Sequence, residues 1–280
     1  MSNYRRVLIP IDLSLGGQLL APSVRRIVDT KDAEITLLHV VESQPWMGRA
    51  GHTLRLMSEL EILANRRFRG ARLTRRIEWG RPADCILNVL RNDRQDVVLM
   101  TAGGASLGGS PLGAVTGEVL AEAPCPVLLE WPVTRPINAA RVQPVCCAVE
   151  LEGNQARLLH EAAWAAERCA APLILLSAAA VMDPAAREGE VAIARARVEE
   201  LRERYTPDAT VHVEAGHPAS VISRALRFHG AGLLVAGGSR ETLLAAESEC
   251  PVLYTGRARS RQAAKPEPRG GYEFAARRSA

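Results

Sequence analysis

At 280 residues, with a formal charge of +4 and hydrophobic and charged shares of 47% and 24%, the chain has the length for two domains, each able to bury its own core. Residues 257–280 hold seven basic and two acidic side chains, leaving 28 basic against 29 acidic elsewhere, so the rest of the chain lacks the broad positive field of a nucleic-acid binder. No run approaches the roughly 18 apolar residues of a membrane span, and the opening MSNYRRVLIPIDLS carries Pro10 and Asp12 with no small-residue cleavage site, which reads as a cytoplasmic start.

In chain order, short β-branched or Leu-rich runs alternate with longer stretches of helical period. The pattern predicts strand 5–12, helix 17–30, strand 34–41, helix 54–70, strand 72–78, helix 82–93, strand 96–101, helix 113–122 and strand 126–130. Such alternation builds βαβ crossovers and a parallel sheet. WPVTRPINAARVQP, residues 131–144, carries three prolines without helical period and reads as a linker. Beyond it the plan starts again. EWGRPADCILNVLRNDRQDVVLMTAGG (78–104) matches EAGHPASVISRALRFHGAGLLVAGGS (214–239), pairing Gly80 with Gly216, Pro82 with Pro218, Ala83 with Ala219, Ile86 with Ile222 and Leu90 with Leu226, each 136 apart. VLIPIDLS faces VCCAVELEG, TLLHVVE faces ILLSAAA, and EAPCPVLLE faces ESECPVLYT. A repeat of this size is a duplicated domain. In G-x-P-A, glycine ends a strand, proline fixes φ in the first helical turn, and alanine packs on the sheet. The expected domains are 1–135 and 142–256, followed by a basic tail, 257–280, too poor in apolar residues to order itself.

VLIPIDLS, LLHVVE, the G-x-P-A turn, DVVLMTAGG and LGAVTGEVLAEAPCPVLL follow one another with a spacing that resembles universal stress protein domains, closely over 5–130 and more loosely over 143–256. The resemblance implies an α/β fold of two tandem doubly wound five-stranded parallel sheets, order 3-2-1-4-5, of the adenine-nucleotide-binding kind. It also implies pairing of domains through the last strand, here an intramolecular pseudo-dimer with a further homodimer left open, and an ATP site. In open parallel sheets ligands lie beyond the carboxyl ends of strands where the winding reverses. The candidate site is therefore Pro10, Ile11 and Asp12, with Val40, and the segment from Met100 and Thr101 through Gly103, Gly104, Gly113, Ala114 and Val115. Asp12 would accept hydrogen bonds from an adenosine, and backbone N–H groups of the loop and of the helix at Gly113 would face phosphates.

The loop departs from the family pattern of Gly, two residues, Gly, nine residues, Gly, then Ser or Thr. Thr101 replaces the first glycine, eight residues separate Gly104 from Gly113, and Ala114 lacks the hydroxyl. Gly108 and Gly109 offer partial compensation. In the second half the long glycine loop is missing and Glu150 stands where Asp12 stood, so that copy is expected to be degenerate and free of nucleotide.

Other motifs count for less. Gly104-Ala105-Ser106-Leu107-Gly108 fits a nucleophile elbow, but Gly108, Gly109 and Pro111 follow where the elbow needs a helix. The only lysines, Lys31 and Lys265, follow no glycine loop, which excludes a Walker motif. The six cysteines form no CxxC pair, and His39, His52, His160, His212, His217 and His229 show no i, i+4 pairing, so no metal site is expected. Arg66, Arg67, Arg69, Arg72, Arg75 and Arg76 around Phe68 read as a solvated face at a helix end. Loop 43–53, with Trp46 and Met47, either covers a ligand, meets a protein partner, or packs onto the domain's own second helix. The leading expectation is a stress-response protein that binds ATP or another adenine nucleotide in its first domain and acts through conformation or an unidentified partner, with a weak ATPase activity left open. The alternatives are a nucleotide-free interaction module with a decayed cleft, and a weak hydrolase on a related fold.

Overall fold

The computed structural model describes residues 4–13, 24–29, 31–42, 49–68, 71–102, 112–131, 142–151, 155–180, 184–238, 250–256 and 272–275. The chain divides into two compact units, Asn3–Val127 with Ala258–Ala280, and Leu128–Arg257 with Met1–Ser2. The main segments of the two units meet between Val127 and Leu128.

In the first copy the described elements are β1 (Arg6–Pro10), α1 (Val24–Ile27), β2 (Glu34–Val41), α2 (Arg49–Arg67), β3 (Arg72–Trp79), α3 (Pro82–Asn92), β4 (Val97–Thr101), α4 (Ala114–Glu122) and β5 (Val127–Glu130). β1 is central, parallel to β2 on one side and β4 on the other, and β3 lies parallel outside β2. Val98 N–H donates to Pro126 O, just ahead of β5 (3.1 Å). The Asp96 carboxylate accepts the Arg5 and Arg6 amides, each at 2.9 Å, and so ties the start of β4 to the start of β1. Val7, Leu8 and Ile9 of β1 and Val97 through Met100 of β4 are buried without alternation, as parallel strands covered on both faces must be.

In the second copy the elements are β6 (Val145–Ala148), α5 (Ala156–Arg168), β7 (Leu173–Ala179), α6 (Arg187–Tyr205), β8 (Thr210–Ala215), α7 (Pro218–His229), β9 (Leu233–Ala236) and β10 (Val252–Tyr254). β8-β7-β6-β9-β10 is the full order 3-2-1-4-5, all parallel. Cys146 and Cys147 lie in β6 and both are buried. None of the six cysteines is in a disulfide, and burial pushes the Cys146 thiol up to about 12.

The G-x-P-A turn is built identically in both copies. Gly80 N–H donates to Val41 O and Gly216 N–H to Ala179 O, both at 3.1 Å. Their φ values are +143° and +145°, and a Cβ at either would stand 3.3 Å from Cys85 Sγ or Val221 Cγ2.

The structure differs from the sequence reading in three places. α2 begins at Arg49, a turn before the expected 54, so residues 49–53 are helix rather than loop. The buried Thr53, Leu56, Leu60 and Ala64 show why: the apolar face of the helix already starts at 53, and the open space around Gly51 removes any steric role for that glycine as a breaker. Tyr272–Ala275, within the stretch read as a disordered tail, is a strand, β11, antiparallel to β3. The Arg face is the third. Arg72, Arg75 and Arg76 are on β3, and their guanidinium groups pair with Glu34 (3.7 Å), with Glu61, and with Glu78 (2.5 Å) and Asp93 (2.7 Å). Arg75 and Arg76 are thereby withdrawn from solvent against carboxylates, whereas Arg72 and its partner Glu34 are both exposed, as a solvated face has them; the side chains of Arg66, Arg67 and Arg69 lie outside the described residues.

After α3 the chain turns at Arg94, with φ +49°, and 136 residues on the same turn after α7 is made by Gly230, with φ +62°. An L side chain in this region costs roughly 1–2 kcal/mol, partly offset by the unfolded-state entropy glycine brings. Arg94→Gly is expected to stabilise the protein by about 0.5–1 kcal/mol, seen as a higher denaturant midpoint at unchanged slope.

Candidate functional site

β1 sends its connection toward β2 on one side while β4 enters on the other, so the winding reverses between them and their carboxyl ends open a crevice. Pro10, the last residue of β1, is in register with Leu38. Ile11 N–H donates to Leu38 O (2.7 Å), and Ile11 O accepts from His39 Nδ1 (2.8 Å). That bond fixes His39 Nδ1 as the protonated nitrogen. Both backbone groups of the buried Ile11 are thereby used, and the chain leaves the sheet with Asp12 exposed. Val40, near the end of β2, is half-buried.

On the other side β4 ends at Met100 and Thr101, and the register of Val7 with Val97 and Leu8 with Val98, carried forward, sets Pro10 beside Met100. Met100 is buried, so its contribution to a ligand would come from backbone. Thr116 Oγ1 donates to Thr101 O at 3.2 Å, pinning the first turn of α4 to the end of β4. α4 is preceded by Gly113, with φ +74°, has no side-chain cap and carries no acidic residue in its first turn. Its hydrogen-bond ladder opens with Gly117 N–H to Gly113 O (3.0 Å), so the amides of Ala114, Val115 and Thr116 precede that ladder. Such amides, at the positive end of a helix, favour an anion. Ala114 is exposed and Val115 half-buried.

Of the expected site residues, Pro10, Ile11, Asp12, Met100, Thr101, Gly113, Ala114 and Val115 thus border the two strand ends and the helix pinned to them, with Val40 one strand over. Gly103 and Gly104 lie outside the described residues, as do Ser106, Gly108, Gly109, Trp46 and Met47. Thr116 was not foreseen. A threonine at the third position of a helix after glycine was the available signal, and it has no meaning until the strand end beside it is known.

The second copy repeats the frame with different side chains. Val149 N–H donates to Leu176 O (2.8 Å), and Val149 O accepts from Ser177 Oγ (3.0 Å), the places of Ile11, Leu38 and His39. Glu150 then follows as Asp12 does. Beyond β9 comes Gly238, with φ +84°, where an added Cβ would lie 2.6 Å from Glu150 Cδ. The equivalent position after β4 is Ala102, fully buried with its methyl. The longer acid of the second copy therefore lays its carboxylate against a glycine whose backbone conformation, at φ +84°, Ala102 does not share. Among the described residues no group of three or more His, Cys, Asp or Glu could hold a metal, and no helix is long and apolar enough to cross a membrane.

A family model described as the universal stress protein family matches residues 3–129 and again 141–253. The chain belongs to the universal stress protein family. A universal stress protein of Thermus aquaticus is 28% identical over 134 residues, 45% of this chain and 98% of that one. The same fold recurs in a universal stress protein structure from Archaeoglobus fulgidus, with 18% identity, a TM-score of 0.63 and coverage of 91% of this chain and 99% of that one. It recurs again in a putative universal stress protein from Pseudomonas aeruginosa, at 19% identity and a TM-score of 0.61, covering 90% and 93%.

The strand-end carbonyls give this universal stress protein a measurable weakness. In His39→Leu the part-buried Ile11 carbonyl loses its donor, which is expected to cost about 1–3 kcal/mol. His39→Gln, which can still donate, should lose less than half of that, and chemical denaturation of the full chain compares the two.

Proposed function

We propose that the first copy binds ATP or another adenine nucleotide at the carboxyl ends of β1 and β4, and that this stress-response protein acts through the conformation or partner the nucleotide selects, without turnover. One observation carries the reading. α4 opens on Gly113 with no acid in its first turn, and Thr116 holds it against the end of β4, so its leading amides stand at the same crevice as the exposed Asp12. In this arrangement Asp12 accepts from ribose hydroxyls or the base, and the amides of Ala114 and Val115 receive phosphate oxygens. The carboxylate of Glu150 against Gly238 supports a single nucleotide per chain.

Thr101 and Ala114 favour the second reading, an interaction module without nucleotide. A missing hydroxyl bond to a charged oxygen is worth roughly 1.5–3 kcal/mol, a loss of about ten- to a hundredfold in affinity. Calorimetric titration of the full chain with ATP at millimolar concentration is expected to give heat with one site per chain. Absence of heat with the fold intact rejects the nucleotide reading and leaves the module. Ala114→Ser, which returns the hydroxyl, should tighten ATP about tenfold, and Asp12→Ala should weaken it.

A further inference from the structure

The duplicated strands β3 and β8 carry a matched side-chain cluster away from either crevice. In the first copy Arg76 donates through Nε to Glu78 (2.5 Å) and through Nη1 to Asp93 at the end of α3 (2.7 Å). The residues 136 further on are His212, Glu214 and His229, and they make the same contacts. His212 Nε2 lies 2.8 Å from Glu214 Oε1, and His212 Nδ1 lies 3.1 Å from His229 Nε2 on the last turn of α7. A permanently charged guanidinium between two carboxylates has become an imidazole between a carboxylate and a second imidazole.

We propose that His212, Glu214 and His229 form a proton-sensitive latch between β8 and α7, closed at neutral pH and released by mild acid, where the first copy keeps a constitutive ion pair.

The chemistry follows from the shared bond. With both rings neutral, His212 Nε2–H donates to Glu214 and His212 Nδ1 accepts from His229 Nε2–H. One added proton reverses the second bond, His212 Nδ1–H now donating to a His229 Nε2 lone pair, so the chain of contacts survives. A second proton makes both facing nitrogens donors, and two cations then stand 3.1 Å apart with no acceptor between them. The Phe228 ring, 4.9 Å from the His229 ring and largely exposed, offers no acceptor strong enough to replace it.

Among the described residues the groups facing the latch are few. On β8 itself there is Glu214, and from α7 come Arg224, paired with Glu214 at 2.7 Å, and His229. β7 sets Leu176 in register with His212. α6 connects β7 outward to β8 and α7 connects β8 back to β9, so right-handed crossovers put them on opposite faces, and α6 attends the other side of the strand.

Burial, and then the charge of a protonated His212, hold His229 below its ordinary value of 6.5. The hydrogen bond from Arg224 first, and His212 after it, hold Glu214 below its ordinary 4.5. In both cases the unfolded or opened chain takes up the proton before the closed one. The latch is therefore whole above pH 6.5 and is lost as pH falls from there toward the lower value of closed His229, with Glu214 adding to the loss only below 4.5.

Hydrogen exchange of the full chain at pH 7.5 and 5.0, corrected for intrinsic rates, tests this with an internal reference. Peptides from α7 and β8 should lose protection by about tenfold or more at the lower pH while those from α3 and β3 change less than about threefold. His229→Gln keeps a hydrogen-bond partner for His212 and cannot titrate, and it should abolish the difference. The double variant His212→Arg, His229→Asp rebuilds the first copy's cluster and should do the same. Equal behaviour of α7 and α3 in the native sequence, or undiminished acid loosening in His229→Gln, overturns the proposal.

Discussion

A strand buried on both faces must hand every backbone polar group to a partner, and the last carbonyl of such a strand has no further residue of the sheet to take it. Both copies solve this at the same point. The residue after the central strand donates its amide back to the second strand, and a side chain of that second strand, His39 or Ser177, donates to its carbonyl. The chain then leaves the sheet in a fixed direction. The backbone of the acid that follows, Asp12 or Glu150, is therefore started in a fixed direction by these hydrogen bonds, and the crevice inherits its geometry from that.

On this common frame the copies have diverged by chemistry while keeping their geometry. Where the first has a short acid after β1 and a buried alanine after β4, the second has a longer acid after β6 whose carboxylate lies against the glycine after β9. Where the first fixes β3 to α3 with arginine, the second fixes β8 to α7 with a titratable pair. Each change is small in volume and large in charge behaviour. The result is a chain whose halves share a fold and differ in the charged side chains set at corresponding positions.

Much of this was readable from the residues. Strand and helix order, the doubling and the G-x-P-A turns follow from local patterns that the sheet does not override, and Gly80 and Gly216 behave alike down to their hydrogen bonds. What the sequence concealed was pairwise. Arg75 and Arg76 look like surface charge until β3 brings Glu61, Glu78 and Asp93 to them. β11 is invisible because four residues in a basic tail become a strand only by borrowing the edge of β3. Likewise, Glu150 was legible as a substitution for Asp12, but its reach across to Gly238 depends on a distance no spacing encodes.

The Glu150 and Gly238 contact also limits what the second crevice can become by mutation. Any side chain added at position 238 would meet two obstacles together, the carboxylate seated against it and a backbone angle of +84° that L residues rarely adopt. The glycine is thus held in place from both sides, by a neighbour and by its own chain.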